Sequence, residues 1–139
     1  MNERVRYINI RIISPIHIQE KEAWFIVSSE VRRLFGTIGA TDVGLFLSYY
    51  DEENQGGIFR ASHKFVSRVR AALCFIHLRR NTPMFLFSEN VSGSLKKAKL
   101  HLTELNNIER YHFLREILFT CWEAKNSTSI GENQKKDLQ

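Results

Sequence analysis

The fold class that the sequence predicts is α+β: a ferredoxin-like split βαβ antiparallel sheet with additional C-terminal helices. Three observations predict it. Apolar residues alternate near positions 7–13, 44–50 and 58–62, which is the period of a strand, and a short apolar run at 84–87 begins another. Two intervening stretches, 19–35 and 63–76, repeat instead at three and four, which is the period of a helix. The resulting order, strand, helix, strand, strand, helix, strand, is that of the split βαβ unit.

In the first strand Ile8, Ile10 and Ile12 share one face and Asn9 and Arg11 the other; Ser14-Pro15 ends it. The first helix carries Trp24, Val27, Val31 and Leu34 on its apolar side, with Glu30, Arg32 and Arg33 elsewhere, and Gly36 and Gly39 are expected to stop it. The second strand sets Leu45, Leu47 and Tyr49 on one face. Residues 51–57, DEENQGG, read as an acidic hairpin loop, and Ile58 to Ser62 as the third strand. At about 100° per residue, Phe65, Val66, Val69, Ala72, Leu73 and Ile76 of the second helix fall within an arc of about 120°. Lys64 and Arg68 border that arc on one side and Arg70 on the other. Arg79 to Pro83 form a turn, and Met84 to Phe87 begin the fourth strand.

Right-handed crossovers put both helices on one sheet face, so the other face needs a cover. The candidate is Leu95 to Leu105 followed, after a break at Asn106-Asn107, by Ile108 to Trp122, with Tyr111, Leu114, Ile117 or Leu118, and Cys121 as its apolar stripe. Residues 1–123 are thus expected to form a single domain. Residues 124–139 are a polar tail with little to bury, expected to be disordered.

Charge is unevenly placed. Between Arg60 and Lys99 nine basic residues face one acid, Glu89, a balance of +8 in a chain of net charge +5; the remainder is −3. Such a segment suits a polyanion. Cys74 and Cys121 lie in apolar helical patterns and are expected as buried thiols of a reducing compartment. No stretch approaches the roughly 18 apolar residues of a membrane span, so no membrane partner is expected.

Catalytic and metal signatures are missing. The five histidines, His17, His63, His77, His101 and His112, have no ligand spacing, no G-x-S-x-G is present, and Gly36-Thr37-Ile38-Gly39 is not followed by G-K-[ST]. Asp51, Glu52 and Glu53 read as a solvated hairpin tip. The third strand, Gly57 to Ser62, lacks the aromatic signature with which RNA-recognition sheets stack bases. Base stacking is therefore not expected, and Tyr49, Tyr50, Phe85 and Phe87 are expected to pack in the core or at its edge.

What the chain does have is two basic strand-to-helix turns. In the stretch Val91 to Leu100, Gly93 allows a sharp turn, Ser94 is a good N-cap, and Lys96, Lys97 and Lys99 surround a helix start whose free N–H groups favour an anion. In the other, Arg60, His63, Lys64, Arg68 and Arg70 run from strand into helix past Ser62. With Ser92 and Ser94, these are the candidate RNA-binding residues. If the two turns adjoin, they form one phosphate-reading face.

Ser62 to Phe65, Val69 to Leu73 and Val91 to Ala98 together resemble ribonuclease P protein component 2, in the form that archaea share with eukaryotes. Arg6-Tyr7, Leu34-Phe35-Gly36, Gly39-Ala40 and Gly44-Leu45 fit the same family in order and spacing, from about Arg6 to Leu102. The polar tail after Trp122 departs from it. The resemblance implies a non-catalytic subunit of a ribonucleoprotein that removes the 5′ leader of precursor tRNA, with magnesium held at the active site by the RNA and no cofactor bound by the protein itself. It implies as partners the ribonuclease P RNA, ribonuclease P protein component 3 and the other subunits, precursor tRNA as the substrate of the complex, and a possible homodimer within a heterotetramer. A cytoplasmic, archaeal setting is expected, with the nucleus or nucleolus as the alternative. Two readings of the same fold stand beside it. An acylphosphatase-like enzyme needs an Arg-bearing loop after the first strand, where Ser14 to Ile18 carry none, and a small-molecule regulatory domain does not need the +8 segment.

Overall fold

Nine residues, Val5–Ile13, form the strand β1 around which the sheet is built. A computed structural model describes residues 4–104 and 114–124 of the chain. The expected break at Asn106-Asn107, Tyr111 and the tail from residue 125 lie outside the described residues. After β1 come α1 (Glu20–Val43), β2 (Phe46–Asp51), β3 (Gly56–Ser62), a 3-10 turn (His63–Phe65), α2 (Val66–Phe75), the short β4 (Leu78–Arg79) and β5 (Thr82–Pro83), β6 (Phe85–Ser92) and α3 (Leu95–Glu104). Residues 114–124 are helical and form α4.

The main sheet has the order β2-β3-β1-β6, with β1 antiparallel to both β3 and β6. This is the expected split βαβ arrangement. Ile8, Ile10 and Ile12 face the α1/α2 layer and are buried there with Val27, Val31, Phe59, Val69 and Leu73. The inner arc expected for α2 holds: Val69, Ala72, Leu73 and Ile76 are buried, and Phe65 and Val66 pack against them.

Among the described residues, the opposite face is covered by α3. Ala98 and Leu102 sit on Ile58, with Tyr7 and Leu95 at the margin. Under this helix the polar face of β1 is buried rather than wet. Asn9 donates to the Ala98 carbonyl at 3.0 Å, and the Arg11 guanidinium meets the Glu89 carboxylate at 2.7 Å and the Asn54 carbonyl at 2.7 Å. Glu89 reaches inward because it is the extra residue of a bulge, opposite the Asn9/Ile10 step of β1. Of the stripe expected on the second covering helix, the described part in α4 is mostly uncovered: Leu114, Ile117 and Cys121 are exposed and Leu118 is half-buried.

Four other expectations are corrected. Gly36 interrupts α1 at φ 73° and ψ 176°, but helix resumes and ends only at Gly44, φ 60°, which donates to the Ala40 and Thr41 carbonyls. Glycine reaches that left-handed region without a Cβ clash, so it can break or close a helix. The core phase of α1 is Ala23, Ile26, Val27 and Val31, which leaves Trp24 at the rim. A bulge in β2 between Leu47 and Tyr49 reverses the faces beyond it, so that Tyr50, not Tyr49, joins the core. Phe85, like Tyr49, is also exposed. Cys74 and Cys121 are exposed free thiols; Cys74 lies off the arc of α2 that buries Val69, Ala72 and Leu73.

The 51–55 hairpin is more than a solvated tip. The buried Gln55 side chain accepts from the Ile18 N–H and donates to the Ile18 and Glu52 carbonyls, clamping the hairpin to the loop after β1. The Arg79–Pro83 turn is a small hairpin with Arg80 and Asn81 at φ 49° and 64°, the two positive values a type I′ turn needs.

Candidate nucleic-acid interface

The sheet order decides how the two basic turns lie. Since β3 and β6 are each antiparallel to β1, they run parallel to each other and end on the same side, flanking the beginning of β1. Ser62 is opposite Val5 and Ser92 opposite Tyr7. The His63 N–H donates to the Arg4 carbonyl at 2.9 Å, and a Cβ on Gly93 would lie 3.6 Å from Arg6 Nη1. Strands sit about 4.8 Å apart, so the turns are separated by only about 10 Å, with β1 between them.

That end of the sheet gathers Arg4, Arg6, His63, Lys64, Lys96 and Lys97, all exposed except Arg6, which is half-buried. Arg4 and Arg6 escape sequence reading because they are remote in the chain from the +8 segment. The strand order brings them in, and knowing that β1 is central would have found them. Ser94 caps α3 as expected, its hydroxyl accepting from the Lys97 N–H at 3.3 Å. Ser92 is buried and accepts from Asn90 Nδ2, while Ser62 makes no cap bond to the turn that follows it. Gly93 is not in the left-handed region, so this turn does not require glycine.

The remaining candidates lie elsewhere. Arg68 is half-buried in the helical layer, its guanidinium over the rings of Phe65 at 4.4 Å and Phe35 at 5.4 Å. Arg70 donates to Ser88 Oγ on β6 in the same layer. Arg60 and Lys99 are on the α3 face: Arg60 is exposed on β3 opposite Phe46 and Tyr7, and Lys99 Nζ lies 5.1 Å from the centre of the Tyr49 ring. Arg79 is at the far end of the sheet, donating to the Glu22 carbonyl and covering the Phe25 ring. That far end also holds Glu20 in the first turn of α1 and Asp51, Glu52 and Glu53 of the hairpin. The +8 segment is therefore not one patch. The six basic residues around the start of β1 thus lie at the end of the sheet opposite the hairpin carboxylates, an arrangement suited to orienting a polyanion. Among the described residues no three His, Cys, Asp or Glu side chains come together as a metal-binding group.

Residues 6–103 match the model of the Rpp14/Pop5 family. Ribonuclease P protein component 2 of Methanocaldococcus jannaschii is 27% identical over 115 residues, covering 83% of this chain and 84% of that protein. A chain in the structure of yeast ribonuclease MRP superposes with a TM-score of 0.55 at 13% identity, over 79% of this chain and 94% of the other, which supports the fold. The matched span runs from Arg6 at the start of β1 to the end of α3 and so takes in both basic turns; this chain belongs to the Rpp14/Pop5 family and is a homologue of ribonuclease P protein component 2.

Proposed function

We propose that the chain is a non-catalytic protein subunit of ribonuclease P, which supports the RNA of that ribonucleoprotein in removing the 5′ leader of precursor tRNA. One observation carries the reading beyond family membership: both strand-to-helix turns leave the sheet beside the start of β1, so that Arg4, Arg6, His63, Lys64, Lys96 and Lys97 surround one end of the domain. Lysine and arginine side chains around a capped helix start bind phosphate oxygens without reading sequence. The RNA backbone meets this end, and the magnesium needed for cleavage is held by the RNA. Component 3 and a second copy of this chain are the protein partners in this reading, and its setting is the cytoplasm.

The acylphosphatase-like reading gains no support. Ser14 to Ile18 after β1 carry no Arg, and the Ile18 N–H is already bonded to Gln55 Oε1 at 2.7 Å rather than available to a phosphate. Reconstitution tests the proposal. Adding the chain to ribonuclease P RNA and the remaining protein subunits is expected to raise the rate of precursor-tRNA cleavage at limiting magnesium. An unchanged rate, with the chain folded and present in the particle, would refute it.

A further inference from the structure

α3 lies over β6, β1 and β3. Among the described residues, none covers the β2 side of the same sheet face. Phe46 is 60% exposed and Tyr49 40% exposed, although both are aromatic residues of a strand. Phe46 stands directly opposite Arg60, and Tyr49 opposite Ile58. Cross-strand partners share a face, so Phe46, Arg60 and Tyr49 all project on the α3 side, with Lys99 at its edge. The acid on the same strand, Asp51, is turned into the hairpin, accepting from the Glu53 and Asn54 N–H groups and from Asn54 Nδ2.

The sequence expectation that no base stacks on this sheet rests on the missing signature of the third strand alone. The central-strand positions on this face, around Tyr7, Asn9 and Ile58, are covered by α3. The aromatic residues that remain open lie one strand further out, and the bulge after Leu47 is what turns Tyr49 to this side. We propose that Phe46, with Arg60 and Tyr49, is a stacking site for an unpaired nucleobase of an RNA strand whose backbone continues over the basic end of the sheet.

The chemistry favours a base over a protein surface. A flat ring and a guanidinium side by side both stack on nucleobases, and Arg60 and Lys99 supply charge for the flanking phosphates. Two rings offer about the area of one or two bases, far below the roughly 800 Å² per partner of a stable protein interface. Arg60 also lies two residues from Ser62, so the site is continuous with the basic end. The proposal rests on the RNA-binding reading above, and its test separates the two.

The full chain is titrated with a short oligoadenylate and with an abasic oligoribonucleotide of equal length, which carries the same phosphates and no bases. Wild type is expected to bind the oligoadenylate about tenfold more tightly, the size of one stacked base. Phe46→Leu, apolar but without a π face, is expected to abolish that preference while keeping its affinity for the abasic strand. Phe46→Trp is expected to keep the preference, and Tyr49→Leu to reduce it. Circular dichroism checks that each variant is folded, which the exposure of both side chains favours. Equal binding of the two strands by wild type, or an undiminished preference in Phe46→Leu, overturns the stacking site and leaves the ring to a protein neighbour; the RNA-binding reading then survives. If neither strand binds at low salt, the RNA-binding reading fails and the stacking site with it.

Discussion

Removing Glu89 should cost this domain far more than a strand residue opposite a polar position normally would. The Arg11 and Glu89 side chains are 4% and 3% exposed, with Nε–Oε1 at 2.7 Å and Nη2–Oε2 at 3.4 Å. In Glu89→Leu the guanidinium stays under α3 with its hydrogen bond to the Asn54 carbonyl but without the carboxylate. Breaking a buried pair on one side costs about 3–5 kcal/mol, whereas an exposed pair is worth roughly 0–1 kcal/mol. Arg11→Met strands the carboxylate and should cost a similar amount. Replacing both together removes the desolvated charges, and such swaps are often near neutral. The double variant also forfeits the hydrogen bond to Asn54, about 1 kcal/mol. It should therefore be more stable than either single variant. Urea unfolding of the four proteins, extrapolated linearly to water, measures this. Single-variant destabilisation below about 1 kcal/mol, or effects that simply add in the double variant, would refute the reasoning and show the pair to be solvated.

Three further outcomes are expected. Leu73→Ala, at a side chain 2% exposed, should destabilise by about 2–5 kcal/mol, and Phe65→Ala by less, since its ring is only half-buried beneath Arg68; thermal or urea unfolding would show it. Gly56→Ala should destabilise by about 1–3 kcal/mol, because a Cβ would come within 2.9 Å of Leu102 Cδ1 on α3 and 3.2 Å of Arg11 Nη1 beneath that helix; the same unfolding assay decides. Burial, and after it Glu52 and Asp51, push the Tyr50 hydroxyl well above the ordinary tyrosine value. The folded state thus keeps a proton that the unfolded chain releases near pH 10. That contribution is complete below pH 10 and is lost as the pH rises further, so the stability difference between wild type and Tyr50→Phe should be constant from pH 7 to 9 and shrink above 10.

How much of this was legible in the sequence follows from what periodicity encodes. Alternation in β1 separated Ile8, Ile10 and Ile12 from Asn9 and Arg11, and the need for a cover over the second face was correctly anticipated. The partners of the polar face were not legible, because Glu89 and the Ala98 carbonyl are brought there by a bulge and a helix distant in sequence. The bulge in β2 inverted the expected roles of Tyr49 and Tyr50, since one inserted residue reverses a period of two. Gly36 was read as a stop because sequence shows the break but not whether helix resumes. At the candidate interface, Lys96, Lys97, His63 and Lys64 were identified from local motifs. Arg4 and Arg6 were not, because only the parallel course of β3 and β6 on either side of β1 brings them between the two turns.

The central claim, that this basic end holds RNA backbone, is tested most directly by the salt dependence of RNA affinity. In the triple variant Arg4→Ala, Lys96→Ala, Lys97→Ala three exposed charges are removed from side chains outside the core, so the fold should survive. Affinity for ribonuclease P RNA should fall, and the slope of log K against log salt should flatten by roughly 0.7–0.9 for each phosphate that is no longer neutralised, about 2–3 in all. A folded triple variant with unchanged affinity and unchanged slope would contradict the account and place the RNA on another surface of the domain.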